Sequence, residues 1–166
     1  MAKRRRRSDS RMAAAICRIA GLLILLLVIA SVVPVTVPQL MGYQVYNVMS
    51  GSMEPEIPVG SAAYVAPVDP VELSKGEIVA FTRGGTVILH RVVSNHMVEG
   101  FLVTKGDANE QEDIEDLPYQ NVTGRVVRHY PLLGQFMMIY SSAVGKVLLL
   151  CLAACGAMLN ILAGRV

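Results

Sequence analysis

A serine hydroxyl becomes a nucleophile when three conditions meet: exposure on a tight turn, a neighbouring base, and donors for an oxyanion. The segment Met49-Ser50-Gly51-Ser52-Met53-Glu54-Pro55 has the composition for the first of these. Gly51 permits a sharp bend between the two serines, and Pro55 stiffens the exit. Taken alone, Ser-Gly-Ser is an ordinary turn. His90 stands in an alternating run, where a histidine is commonly just a strand residue with satisfied hydrogen bonds. Asp113 falls in an acidic stretch, 110–116, that also reads as a solvated loop. His96 and His129 read as surface residues. Cys17, Cys151 and Cys155 all lie in apolar runs, so neither a disulfide framework nor a cysteine-based zinc site holds the intervening stretch. Cys151 and Cys155 are spaced to share a helix face and read as small buried hydrophobes. No metal or cofactor is expected.

These residues need elements to hold them. The chain has 166 residues, 53% hydrophobic and 17% charged, with no tryptophan. A soluble domain carries roughly 25% charged residues, so a purely soluble protein is disfavoured, as are a disordered chain and a coiled coil. The charge is unevenly placed. Lys3, Arg4, Arg5, Arg6, Arg7 and Arg11 face only Asp9 in the first stretch, whereas residues 43–140 hold twelve acidic side chains against six basic ones. A nucleic-acid binder spreads basic residues over its folded surface. Here they stand directly before an apolar run, the pattern that sets membrane orientation.

Residues 19–33 contain no charge, and a spanning helix needs about 20 residues. The reading is a basic cytoplasmic tail at 1–12 and a transmembrane anchor at 13–37, with Arg18 snorkelling and Pro34 and Pro38 ending the helix. A cleavable leader would need a small-x-small site after the apolar run, and Ala30-Ser31-Val32 is a poor one. The anchor is therefore read as uncleaved. A second apolar run at 147–163, flanked by Lys146 and Arg165, reads as a return span within 141–166.

Between the apolar runs, residues 38–140 read as one β domain. Strands are expected at 43–48, 61–65, 77–82, 86–93, 98–105 and 122–129, with Arg83-Gly84-Gly85 as a hairpin turn. Each connection carries Gly, Pro, Asp or Asn. The fold class is thus mostly β, with an N-terminal transmembrane helix and a second, C-terminal one.

In that frame the serine segment gains meaning. Ser-Gly-Ser-Met-x-Pro after a basic N-terminal anchor resembles the nucleophile box of type I signal peptidases. Three further segments follow in that family's order: Lys75-Gly76-Glu77-Ile78-Val79-Ala80-Phe81, then Leu89-His90-Arg91-Val92-Val93, then Thr104-Lys105-Gly106-Asp107-Ala108-Asn109 with Asp113. The resemblance covers the anchor and nearly all of residues 40–130. One departure is Ala108-Asn109-Glu110, where related sequences often carry an Asn-Asn pair.

The resemblance implies the roles. Typical bacterial members place a lysine at the base position. His90 here resembles the endoplasmic-reticulum and archaeal branch, also found in some Gram-positive bacteria. Ser52 is then the nucleophile and His90 its general base. Asp113 resembles the acid that completes the site, and Asp107 the second acid, of structural character. Ser50 matches a position whose hydroxyl helps form the oxyanion hole. Such an enzyme is a serine endopeptidase that cuts exported preproteins after small-x-small sites. Its implied partners are preproteins with signal peptides, membrane lipids, and a translocon or accessory subunits. Its implied place is the plasma membrane, or the endoplasmic-reticulum membrane in a eukaryote, with residues 38–140 extracytoplasmic. The competing expectation is a catalytically idle or dedicated accessory factor for assembly of surface pili or a matrix protein.

Overall fold

The computed structural model describes residues 2–165. The side chains of residues 2–10 and of Tyr140 lie outside the described residues, and with the former most of the expected basic tail at 1–12. The chain divides into two units, a helical one up to Thr36 and from Ile139, and a β unit spanning Val37–Met138.

The helical unit is built on α1 (Ala2–Leu40) and α3 (Ala143–Ala163). Residues 11–40 and 143–163 are long and apolar enough, by length and composition, to cross a membrane. Pro34 and Pro38 do not end α1, which continues to Leu40. Each proline removes one donor from the helix ladder, a loss that helices in apolar surroundings tolerate through local adjustment; nearby, Ser31 Oγ donates to Val28 O at 2.7 Å and Thr36 Oγ1 to Val32 O at 3.1 Å. A Cβ added to Gly21 would lie 2.7 Å from Gly156 O and 2.4 Å from Asn160 Nδ2. The two helices therefore approach through glycine, as small residues allow in apolar surroundings. Asn160 is satisfied within α3, donating to Gly156 O at 2.8 Å. Cys151 and Cys155 are exposed rather than buried. Within an apolar helix of spanning length, that exposure suits lipid rather than a protein core.

α3 starts earlier than the apolar run suggests. Ser142 caps it, its Oγ accepting from Gly145 N at 3.0 Å. Ahead of that cap stands α2 (Leu133–Ser141), a helix inside a stretch that reads as part of the β domain.

The β unit is a seven-stranded antiparallel sheet. Its strands are β1 (Gln44–Asn47), β2 (Ala62–Ala66), β3 (Ile78–Arg83), β4 (Thr86–His96), β5 (Phe101–Lys105), β6 (Leu117–Pro118) and β7 (Val122–Tyr130), in the order β1-β2-β7-β3-β4-β5-β6. The expected strands all form, and the short β6 adds one edge. β3 and β4 are joined by Gly84 and Gly85, both at positive φ (58° and 79°), the conformation a tight hairpin turn demands.

Alternation along β3 divides the core between the two faces of the sheet. Ile78 and Ala80 pack with Met53, Ile57, Val65 and Leu89. Val79 and Phe81 pack with Leu73, Val92, Leu102 and Leu117. The period of two is strict, so each residue's face follows from its register. Sequence neighbours on β4 are split the same way, which puts Leu89 and His90 on opposite faces.

Candidate active site

Ser52 sits in the turn that follows β1. Met53 and Ile57 are essentially fully buried and pin that turn into the core cluster that also holds Leu89. Backbone bonds from Glu54 N to Gly51 O (3.0 Å) and from Ile57 N to Met53 O (2.8 Å) close it. Ser50 and Ser52 are neighbours across the bend, with their Oγ atoms 3.4 Å apart. Among the described residues this is the side-chain hydrogen bond of Ser52, rather than one to His90.

His90 is buried in β4, on the face of Phe81, whose ring meets the imidazole edge-on at 5.9 Å between centroids. Its Nδ1 lies 2.6 Å from Asp113 Oδ2. Thr104 Oγ1 donates to the same carboxylate oxygen at 2.6 Å, and Asp113 N donates to Thr104 O at 2.9 Å. The side chains of His90 and Asp113 are 10% and 8% exposed, so water competes little for this bond. An ionised carboxylate only accepts, so Nδ1 must carry the proton; the neutral ring then has its lone pair on Nε2. Asp113 therefore belongs to a tied loop end, not to a freely solvated acidic stretch.

Asp107 is held differently. Arg91 grips it with two bonds, Nε to Oδ1 at 2.8 Å and Nη2 to Oδ2 at 2.5 Å, while Nη1 donates to Gly76 O at 2.7 Å. The hydrogen bond and charge of Asp107 raise the Arg91 guanidinium above its ordinary pKa, against the opposing effect of partial burial. The pair braces the loop that runs from Lys105 to Asp113. Asp107→Asn in the full chain is expected to lower stability by about 1.5–3 kcal/mol, the range for a hydrogen bond to a charged group. Thermal unfolding in detergent measures it, and an unchanged midpoint would contradict the bracing role.

The same loop abuts the serine turn. Ala108 N donates to Ser52 O at 2.9 Å. A Cβ on Gly106 would fall 2.6 Å from Ser52 O, so the contact requires glycine there. One loop thus touches Ser52 at its start and His90 at its end. The base-side residues Thr104, Arg91 and Gly106 carry no distinct signal in the sequence beyond their place in the quoted segments. Thr104 is fully buried, a polar strand residue whose partner only the fold reveals.

His96 and His129 are half-buried rather than at the surface. His96 pairs in register with Phe101 and stacks on it, 4.5 Å between centroids. His129 Nε2 lies 3.6 Å from Glu56 Oε1. Neither approaches the Asp113 pair by hydrogen bonding. Among the described residues no three His, Cys, Asp or Glu side chains gather as a metal site.

A groove of about 570 Å³ opens beside Ser52, between residues 46–50 on one side and residues 85–89 on the other. Both walls are sheet edges. β1 is the terminal strand of the sheet, and β4 pairs with β5 only from Arg91 onward. The stretch of β4 before His90 therefore has unpaired backbone groups on the side away from β3, a template for an added strand.

No family model matches the chain. It is 37% identical over 89 residues to signal peptidase I W of Bacillus subtilis (strain 168), covering 51% of this chain and 47% of that protein. The match thus spans about half the length of the relative.

Proposed function

On the premise that this similarity supports assigning the chain to the type I signal peptidase family, we propose that it is a membrane-bound serine endopeptidase that removes signal peptides from preproteins. The observation that carries the mechanism is the buried 2.6 Å bond between His90 Nδ1 and Asp113 Oδ2. It leaves Nε2 of the β4 imidazole free to accept a proton, and Asp113 ends the loop whose Ala108 N–H is bonded to Ser52 O. In this reading Ser52 Oγ attacks the scissile carbonyl carbon as His90 Nε2 takes its proton. Asp113 orients the ring and stabilises the imidazolium as it forms. The Ser52 main-chain N–H and Ser50 Oγ stabilise the developing oxyanion. The imidazolium then protonates the leaving amine, and the released amine is the mature protein's new N-terminus. Water, deprotonated by His90, finally hydrolyses the ester on Ser52 and frees the signal peptide.

The mechanism requires the Ser52 hydroxyl to exchange its bond with Ser50 for one with His90. Such catalytic bonds commonly tighten only when substrate is present. The preprotein would lie extended in the groove, adding a strand to β1 or to the open stretch of β4. Small side chains at the residue before the cut and two before that would seat against the groove wall.

Purified full-length protein in liposomes should cut a model preprotein once, after a small-x-small sequence, as read by mass spectrometry of the products. Failure on several preproteins would overturn the reading. Anchoring serves the reaction by holding the site where signal peptides lie, raising the local concentration of both partners. In the proposed orientation the basic residues at 3–11 stay cytosolic and the β unit lies outside. Protease added to intact, wall-free cells should then digest residues 40–130. Protection of that unit in cells whose cytosolic proteins are also intact would sink the assignment.

A further inference from the structure

The helix α2 is seated on the β unit in a way that hydrophobic burial does not explain. Leu132, Phe136 and Met138 are 61%, 61% and 51% exposed. The contact is made by backbone instead. Gly134 is buried, and a Cβ there would lie 2.1 Å from Asn47 Oδ1, 2.4 Å from Ser61 O and 2.7 Å from Gly60 O. Next to it, Gln135 N donates to Gly60 O at 3.2 Å, and the Gln135 side chain covers Gly60 closely. Leu132, at the bend into the helix, has φ +64°, a conformation that leucine rarely adopts and that persists only where surroundings hold it.

The groups clasped are those that lead to the nucleophile. Asn47 is the last residue of β1 and lines the groove. Its Oδ1 is buried with no hydrogen-bond partner among the described residues, and Gly134 is packed against it. Gly60 N donates to Val48 O at 2.8 Å, and Val48 N to Ser61 O at 2.9 Å. Gly60 and Ser61 therefore hold the chain between β1 and Ser50, which is one wall of the groove.

We infer that α2 is a positioning element for substrate: through Gly134 and the Gln135 amide it sets where the groove wall at residues 46–49 stands relative to Ser52. The inference rests on the peptidase reading above. It gives the C-terminal helical part a role in binding the preprotein, beside its membrane one.

The test compares Gly134→Ala and Gly134→Val with Phe136→Ala in full-length protein in detergent. The Ala variant should lower kcat/KM for a preprotein about tenfold, and the Val variant further, with the loss carried by KM while kcat stays near wild type. Phosphonylation of Ser52 Oγ by a small activated phosphonate ester, which loses its alcohol leaving group and does not fill the groove, should be unchanged. Hydrogen exchange across residues 44–61 should accelerate. Phe136→Ala, on the exposed face, should match wild type. A wild-type KM in Gly134→Val would overturn the inference. So would parallel loss of kcat and phosphonate reactivity, which marks a general folding defect. If wild type itself cleaves no preprotein, the peptidase reading fails, and exchange decides the clasp alone: unchanged exchange over 44–61 in Gly134→Val refutes it.

Discussion

Ser52→Ala in the full-length protein is expected to abolish preprotein cleavage, with a loss in kcat of about 10⁴- to 10⁶-fold. The effect is this large because alanine removes the atom to which the acyl group would bond. His90→Ala should lose nearly as much, since the hydroxyl is a poor nucleophile at neutral pH without a base to take its proton. The double variant should be scarcely worse than either single one. Residues that work as one unit fail together, and what remains is binding and oxyanion stabilisation by the rest of the groove. The measurement is single-turnover cleavage by the three variants beside wild type in liposomes. Losses that multiply in the double variant would mean that Ser52 and His90 act independently, and the proposed proton transfer would fall. Retained cleavage in Ser52→Ala would remove Ser52 as the nucleophile.

Asp113→Asn should cost about 10³- to 10⁴-fold in kcat with little change in KM. The amide is nearly isosteric but neutral, so it offers no charge to the imidazolium. Its NH₂ group also donates toward Nδ1, which selects the tautomer with the proton on Nε2. That tautomer has no lone pair to accept the Ser52 proton. Thr104 Oγ1 donates to the same Oδ2 atom, so Thr104→Val is a useful companion. It should cost less than Asp113→Asn, because the carboxylate and its charge survive. Asp107→Asn provides the contrast: its carboxylate pairs with Arg91, so it should affect stability far more than kcat. If Asp107→Asn lost more rate than Asp113→Asn, the roles of the two acids would have to be exchanged.

The two acids show where sequence reading meets its limit. In sequence both sit in one polar stretch after β5, and composition does not separate them. The fold does, because Val92 pairs with Thr104 and Arg91 with Lys105 in the β4–β5 register. That register carries Arg91 to Asp107 and His90 to Asp113. Similarly, His96 has no sequence feature that announces its stack on Phe101; the cross-strand pairing supplies it. The α2 helix was hidden because its nine residues are apolar on nearly every side and give no helical stripe. Pro34 and Pro38 act in the opposite direction: proline reads as a helix end, yet a helix in apolar surroundings can continue through it by local adjustment of the backbone.

The sequence by itself determined what depends on neighbours along the chain. Two apolar runs long enough to cross a membrane, the alternating strands, the Gly84-Gly85 hairpin and the Ser50-Gly51-Ser52 bend are all set by residue periodicity and backbone preference within a few positions. Only the tertiary structure decided which acid meets His90, that Thr104 shares it, that Gly106 admits Ser52 O, and that Gly134 clasps the wall of the groove. These contacts join residues far apart in sequence. Their formation depends on strand register and on close packing, in which a methyl group more or an ångström less decides the outcome, and neither quantity leaves a local mark on the chain.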